Sequence, residues 1–182
     1  MYLRYPETVR GLLLLRVTGG AFAAGRLPEN YYGQFIRTAQ QGGMAAVCTT
    51  EQYRERIGAN PANRDALMAM SPQHYIEVMT RWRDHFASGA HHPMTGVSEA
   101  QLRSIKAPTI VIPGNDKVHS SASSLAAHRL IPGSELHRLP IEDQDVPLIP
   151  FDDWSSHVDE IASVLAAFMH RVLAAAERAT GG

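Results

Sequence analysis

The pattern of apolar and polar positions places strand-like segments on both sides of a long helical stretch. Residues 9–17, VRGLLLLRV, form an almost continuous apolar run, which is typical of a strand covered on both faces. Residues 107–114, APTIVIPG, are β-branched and bounded by Pro and Gly, so they predict a second strand. Residues 135–140, ELHRLP, predict a third and shorter one.

Residues 28–106 carry helical patterns throughout. Thr49 with Gln52, and Ser98 with Gln101, have the spacing of capping boxes at helix starts. Pro72 marks a further start, because proline favours the first helical position. This stretch therefore predicts a helical insertion between the first two strands.

One aromatic and methionine stripe lies in this insertion. Tyr75, Met79, Trp82 and Phe86 are spaced i, i+4, i+7 and i+11, which places them on one face of a helix. Such a stripe usually packs into a core, and the alternative is the wall of a ligand pocket.

The remaining pattern alternates strands and helices. Residues 120–131, SSASSLAAHRLI, predict a helix between the second and third strands, and a long apolar stripe from Val158 to Val172 predicts a final helix. Strands that alternate with helices pair in parallel through right-handed crossovers. The sequence therefore predicts an α/β fold with about three parallel strands, flanking helices and a helical insertion.

Composition narrows the classes of function. The chain has 182 residues and a net charge of −1, with no basic patch of the kind that binds nucleic acid. No apolar run approaches the ~18 residues of a membrane span. Cys48 is the only cysteine, which excludes an internal disulfide and fits a reducing compartment. We expect a cytoplasmic protein that binds neither nucleic acid nor membrane.

The ordered set of segments resembles the C-terminal half of the α/β-hydrolase fold family. The similar segments are YPETVRGLLLL before and through the sixth strand, LRSIKAPTIVIPGNDKVH at the seventh strand and its acid turn, SLAAHRLIPGSELHRLP at the next helix and eighth strand, and IASVLAAFM at the closing helix. The resemblance covers almost the whole chain. It implies a partial α/β-hydrolase fold whose helical insertion occupies the place of the family's cap.

The resemblance also implies three parts of the chain. Residues 1–27 would hold the end of the nucleophile helix and the first core strand. Residues 28–106 would form the cap-like insertion, and residues 107–182 the C-terminal part of the α/β core. No cofactor is implied.

The family's mechanism needs a nucleophile on a G-x-S-x-G elbow, and none of the serines here fits that motif. We expect the chain to start inside the nucleophile helix, either as a fragment of a longer hydrolase or as a natural half-protein. On either interpretation this chain by itself is predicted to be inactive.

Asp116 stands at the position of the family's acid, where a carboxylate orients a histidine and stabilises the imidazolium. The alternative is that Asp116 caps the helix near Ser120 or closes a turn. The family's histidine follows the eighth strand, but no histidine lies between Arg138 and Ser156. His157 is the candidate substitute. His119 is close enough to bond Asp116 across a turn, and we interpret it as structural.

The helical insertion supplies the candidate walls of a substrate pocket, which are Tyr31, Tyr32, Phe35, Trp82 and Phe86. No metal site is predicted, because His91 and His92 are adjacent and no other ligand lies at suitable spacing. Cys48 is interpreted as a small buried residue, since no base is evident.

Three functions stay open. The first is a serine hydrolase of esterase type, acting in its full-length parent on a small, partly apolar substrate. The second is a non-catalytic binding or assembly module derived from that fold, and the third is no evolved function of this chain. Because the strand at Leu12 to Leu15 would be an open, apolar sheet edge, we also expect a homodimer through that edge.

Overall fold

The computed structural model describes the backbone of residues 1–180 and the side chains of residues 1–178. The chain divides into two compact units. The sheet unit comprises residues 1–23 together with residues 89 onward, and the helical unit comprises residues 24–88.

The sheet unit is built on three parallel strands, which confirms the predicted fold class. The strands are β1 (Leu12–Leu15), β2 (Thr109–Ile112) and β3 (Glu135–Leu136), in the order β1-β2-β3 within the described residues. Leu12 lies opposite Thr109, and Ile110 lies opposite Glu135. All four residues of β2 are buried, as its central place and its β-branched composition require.

Helices account for most of the other regular structure. In chain order they are α1 (Gly20–Pro28), α2 (Gln34–Thr49), α3 (Glu51–Ala59), α4 (Ala62–Met68), α5 (Pro72–Ser88), α6 (Glu99–Arg103), α7 (Ser121–Leu130) and α8 (Val158–Thr180). A π-helical turn, Glu29–Gly33, joins α1 to α2, and the 3₁₀ segment Phe151–His157 leads into α8. No helix of the described residues is both long and apolar enough to cross a membrane.

Apolar clusters cover both faces of the sheet. Successive side chains of β1 point in opposite directions, so they reach different clusters. Leu12 and Leu14 pack against a cluster from the α6–α7 side. Leu15 instead packs against a second cluster that contains Ile112, Trp154 and residues of α8. Two apolar layers thus hold the carboxyl ends of the strands in place.

The helical unit has a core of its own. Its buried members are Phe35, Ala39, Met44, Val47 and Tyr75. Within α2 the backbone bends at Gly43, whose φ of 62° is a conformation that glycine adopts at little cost.

The predicted capping box and the helix start at Pro72 are confirmed, whereas the cap at Thr49 and the helical pattern over residues 89–98 are wrong. Ser98 and Gln101 form the predicted capping box of α6, and α5 begins at Pro72. Thr49 is not a cap, because α2 continues through it and its hydroxyl donates to the Ala46 carbonyl. Residues 89–98 contain no helix. In the stripe on α5, Tyr75 is buried but Trp82 is 52% exposed, so only part of the stripe reaches a core.

Candidate functional site

The candidate site lies where β2 ends, in a turn formed by residues 114–119 that we call the acid turn. Gly114 starts this turn, and a Cβ there would come within 2.1 Å of the His119 carbonyl oxygen. Only glycine therefore allows the turn to fold back on itself this closely. The fold-back places His119 beside Asp116, three residues earlier in the chain.

Asp116 is fully buried, and both of its carboxylate oxygens accept hydrogen bonds. Oδ1 accepts the backbone N–H of His119 at 2.6 Å, and Oδ2 accepts the backbone N–H of Ile149 at 3.0 Å. The His119 ring atom Nδ1 lies 3.2 Å from Oδ1 and 3.1 Å from Oδ2. Asp116 therefore closes the turn, as one of the two sequence interpretations held, and it also contacts an imidazole.

Arg16 completes the surroundings of this carboxylate. Its Nη2 donates to Asp116 Oδ2 at 2.9 Å and to the Ile149 carbonyl at 2.6 Å. The guanidinium carbon lies 4.8 Å from the centre of the Trp154 ring, within the range of a cation–π contact. The two charged side chains are 8% and 0% exposed, so Arg16 and Asp116 form a buried ion pair.

These contacts decide the charge state of Asp116. Burial raises its pKa, but the backbone N–H groups of Ile149 and His119, together with the His119 imidazole, outweigh burial and hold the pKa below its ordinary value. Asp116 is therefore an ionised carboxylate at neutral pH, and it can only accept hydrogen bonds.

A loop after β3 covers the acid turn and supplies one of these donors. Residues 142–149 run alongside the turn, with Gln144 N donating to the Asn115 carbonyl at 2.8 Å and Lys117 N to the Val146 carbonyl at 3.0 Å. The Asn115 side chain accepts from Trp154 Nε1 at 3.1 Å and donates to the Glu142 carbonyl. This loop contains no histidine, and it acts as a cover over Asp116.

Two cavities open beside the acid turn. One, of about 190 Å³, is lined by Pro113, Gly114, Ser121 and Arg138 among others. The other, of about 380 Å³, has Asn115, Glu142, Asp153 and Trp154 in its wall. Both are large enough for a small ligand at the carboxyl end of the strands, where parallel sheets generally place their sites.

The two predicted catalytic residues are not in contact. His157 lies at the end of the 3₁₀ segment, and its Nδ1 is 3.9 Å from Glu160 Oε2. The other carboxylate oxygen, Glu160 Oε1, lies 2.8 Å from His137 Nε2. Within residues 1–178, no hydrogen bond or ion pair joins His157 to Asp116, and the histidine that meets Asp116 is His119.

The predicted pocket residues all belong to the helical unit, where they have different surroundings. Phe35 is buried in the core and makes an edge contact with Tyr53. Tyr32 and Phe86 have ring centres 6.4 Å apart. Tyr31 and Trp82 are exposed. The assignment of these five side chains to a substrate pocket stays a prediction.

Other candidate chemistry is sparse in the described part of the chain. Residues 1–178 contain no group of three or more His, Cys, Asp or Glu side chains arranged to hold a metal ion. Cys48 is a buried free thiol. His91 and His92 contact each other edge to face.

Arg16 is the residue of the candidate site that sequence reasoning missed. It follows directly after β1, and it has a φ of 50°, the only positive φ among the described non-glycine residues. The sequence did contain a signal for the position of Arg16. The carboxyl ends of neighbouring parallel strands lie at the same edge of a sheet. A charged residue just after an apolar strand therefore belongs near the acid after the next strand.

Comparisons with known proteins give structural neighbours only. No protein-family model matches the sequence, and no curated protein matches it. The similar solved structures are α/β-hydrolase-fold enzymes. An enol-lactonase from Burkholderia xenovorans is 15% identical with a TM-score of 0.44, and the match covers 92% of this chain and 59% of that one. A hydrolase from Pseudomonas aeruginosa is 19% identical with a TM-score of 0.46, covering 92% and 58%. A proline iminopeptidase from Mycobacterium smegmatis is 16% identical with a TM-score of 0.40, covering 96% and 61%.

This chain therefore spans less than two thirds of the length of each of these three proteins. At such identities and TM-scores the comparisons assign neither a family nor an activity to it.

Proposed function

We propose that this chain carries the acid part of a hydrolase site of the α/β-hydrolase type. The reaction would be the cleavage of an ester or a similar bond in a small, partly apolar substrate. The 182 residues contain no G-x-S-x-G elbow, so the chain alone would have no turnover. The nucleophile would come from residues outside this sequence.

One observation carries the proposal. An ionised, buried carboxylate stands just beyond the carboxyl end of the central strand, and it holds the ring nitrogen of a histidine. A carboxylate in that position can orient an imidazole and stabilise the imidazolium that forms when the imidazole takes a proton. The segments quoted above, which resemble the family in the same order, also support the assignment.

The test combines the reading frame with an assay. The genomic sequence upstream of Met1 is read for an in-frame G-x-S-x-G motif, and the product of the longer frame is assayed with p-nitrophenyl butyrate. We expect hydrolysis by the longer product and none by the 182-residue chain. In the longer product Asp116→Asn should lower kcat by about 10²–10⁴-fold, the usual range for acid–base machinery.

Asp152→Asn is the matched control, because Asp152 is an exposed carboxylate of the sheet unit. Its kcat should equal that of the unaltered protein. Turnover by the 182-residue chain that survives Asp116→Asn would refute the assignment, and so would an upstream frame without the elbow.

A second candidate function is an assembly module, and the open edge of the sheet favours it. β1 lies at the edge of the sheet within the described residues. Leu12 N donates to the Pro108 carbonyl just before β2, and Arg16 N donates to the Ile112 carbonyl, so the backbone groups of Leu13 and Leu15 face the open side. A groove of about 410 Å³ runs beside this strand, with Leu13, Phe168, Met169, Val172 and Leu173 in its wall.

An apolar strand of this kind pairs readily with another strand, and a second copy of β1 supplies one. Light scattering of the chain across a range of concentrations should then give the mass of a homodimer. Leu13 is 40% exposed, and Leu13→Lys should return the monomer mass, whereas Met68→Lys, an exposed apolar position in the helical unit, should not. A monodisperse monomer at high concentration would exclude the assembly module.

A further inference from the structure

We infer that His119, and not His157, is the histidine that Asp116 positions for proton transfer, with Nε2 as the basic atom. This inference rests on the proposed function, because a proton acceptor matters only at a site that carries out hydrolysis. It differs from the sequence interpretation, in which His119 had a structural role and His157 was the candidate.

The position of the ring proton follows from the partners of Nδ1. This atom lies 3.1 Å and 3.2 Å from two oxygens of a carboxylate that is ionised and has no proton to give. Arg16 Nη2, which can only donate, is farther away, at 3.5 Å, so the nearer carboxylate decides the position of the proton. An imidazole nitrogen that meets such an acceptor must itself be the donor. In the neutral ring Nδ1 therefore carries the hydrogen, and Nε2 keeps its lone pair.

The free nitrogen is available to a reactant. Among residues 1–178, Nε2 of His119 makes no hydrogen bond, and the His119 side chain is 21% exposed. The ring is also fixed in place, because the His119 backbone N–H is bonded to the same carboxylate and its Cβ lies against Gly114. Gly114 in turn lines the smaller of the two cavities beside the acid turn.

The competing histidine, His157, is about as exposed as His119, at 20%, and differs in the partner of its Nδ1. His157 lies near Glu160, whose other oxygen is engaged by His137. Glu160 is an exposed side chain, so its charge is screened by solvent and its hold on a ring is weak. Asp116, in contrast, is buried and held from four directions by Arg16, Ile149 and the backbone and ring of His119.

The chemical step is a simple proton transfer. The Nε2 lone pair takes the proton of a serine hydroxyl or of water as that oxygen attacks the substrate carbonyl, so an O–H bond breaks and an N–H bond forms. The resulting imidazolium faces Asp116 through Nδ1–H, and it returns the proton to the leaving oxygen. Asp116 is then a positioning residue, and His119 is the group that reacts.

The first measurement uses the unaltered 182-residue chain and needs no activity. In a ¹⁵N-labelled sample, two-bond ¹H–¹⁵N correlations of the imidazole rings report which nitrogen carries the proton. We expect the neutral His119 ring to be protonated at Nδ1. Protonation at Nε2 would overturn the inference, because the basic atom would then be turned toward the carboxylate.

The second measurement tests reactivity with diethyl pyrocarbonate, which modifies an unprotonated ring nitrogen, followed by peptide mass spectrometry. At a pH of about 8, above the ordinary pKa of an imidazole, we expect modification of His119 at Nε2, and it should be several-fold slower in Asp116→Asn, because the amide no longer increases the basicity of Nε2 through Nδ1–H. The internal control is His128, whose Nδ1 is 2.8 Å from Ser134 Oγ and whose rate should not change. An unchanged rate at His119 in a variant that is still folded would also overturn the inference.

The hydrolase proposal and the inference about His119 can be refuted independently of each other. A reactive His119 without an upstream elbow would refute the hydrolase and leave the Asp116–His119 pair standing. An active longer product with an Nε2-protonated His119 would keep the hydrolase and make His157→Gln the next variant to assay.

Discussion

The acid turn and the core of the helical unit are both well packed, but different forces hold them. Around Asp116 the contacts are directional, since one carboxylate accepts from Arg16, Ile149 and His119. In the helical unit the core is apolar, and its polar feature is a hydrogen bond of 2.9 Å between the Tyr53 and Tyr75 hydroxyls. Burial, and then the bond to Tyr53, raise the pKa of Tyr75, so Tyr75 stays neutral.

The difference shows what each region can tolerate. An apolar core depends on volume and shape, so side chains of similar size replace one another at small cost. A buried ion pair depends on charge and on the direction of each bond, so even an isosteric change leaves a partner unsatisfied. We therefore expect residues of the acid turn to be the most sensitive in the molecule.

The largest effect on stability is expected for Asp116→Asn. The amide keeps the shape of the carboxylate but removes its charge, and it leaves Arg16 as a buried cation without a counterion. Such a loss costs about 3–5 kcal/mol. Urea unfolding, compared with Asp152→Asn as an exposed control, measures it. A cost below 1 kcal/mol would mean that the ion pair is effectively solvated and that the two regions do not differ.

A smaller effect is expected for Arg16→Met. Asp116 then keeps the backbone donors of Ile149 and His119 and the His119 ring. The loss should be about 1–3 kcal/mol, the cost of an incompletely satisfied buried group. The same urea experiment checks the order of the two variants. If Arg16→Met proved more costly than Asp116→Asn, the carboxylate would not be the centre of the network.

The pH dependence of stability should separate the two regions as well. The folded pKa of Asp116 is below its ordinary value of about 3.9, so its contribution is complete above that value and is lost as pH falls through the folded pKa. The difference in unfolding free energy between the unaltered chain and Asp116→Asn should therefore be constant near pH 7 and shrink below about pH 4. A difference that grows on acidification would contradict the direction of the shift.

The smallest effect is expected for Tyr75→Phe in the helical unit. This change removes one neutral hydrogen bond and leaves the partly exposed Tyr53 hydroxyl able to bond water. The cost should be about 0.5–1.5 kcal/mol. Thermal unfolding of Tyr75→Phe beside Tyr53→Phe measures it. A loss as large as that of Asp116→Asn would remove the contrast between the two regions.

Much of the sheet unit could be predicted from local pattern. The β-branched run at Thr109–Ile112 had to be a buried strand, and the Ser98–Gln101 spacing had to be a cap. The position of Asp116 just after that strand could likewise be predicted from the sequence. These features depend on neighbours in sequence, where periodicity and capping chemistry act.

The partners of Asp116 were harder to predict, because most of them are distant in the chain. Arg16 lies 100 residues before Asp116, and Ile149 lies 33 residues after it. The exposure of Trp82 was also unpredictable from local pattern. Helical spacing shows which face of a helix a residue lies on, but it does not show how much of that face is packed against the rest of the fold.

The sequence by itself determined the alternation of strands and helices, the buried central strand and the carboxylate at its end. Only the tertiary structure decided which groups meet that carboxylate. The parallel sheet brings the ends of β1 and β2 to one edge and so places Arg16 beside Asp116. The fold-back at Gly114 places His119 beside the same carboxylate. The physical reason is that a buried charge must be matched by donors close in space, and distance in space between remote residues is set by the fold and not by the local pattern.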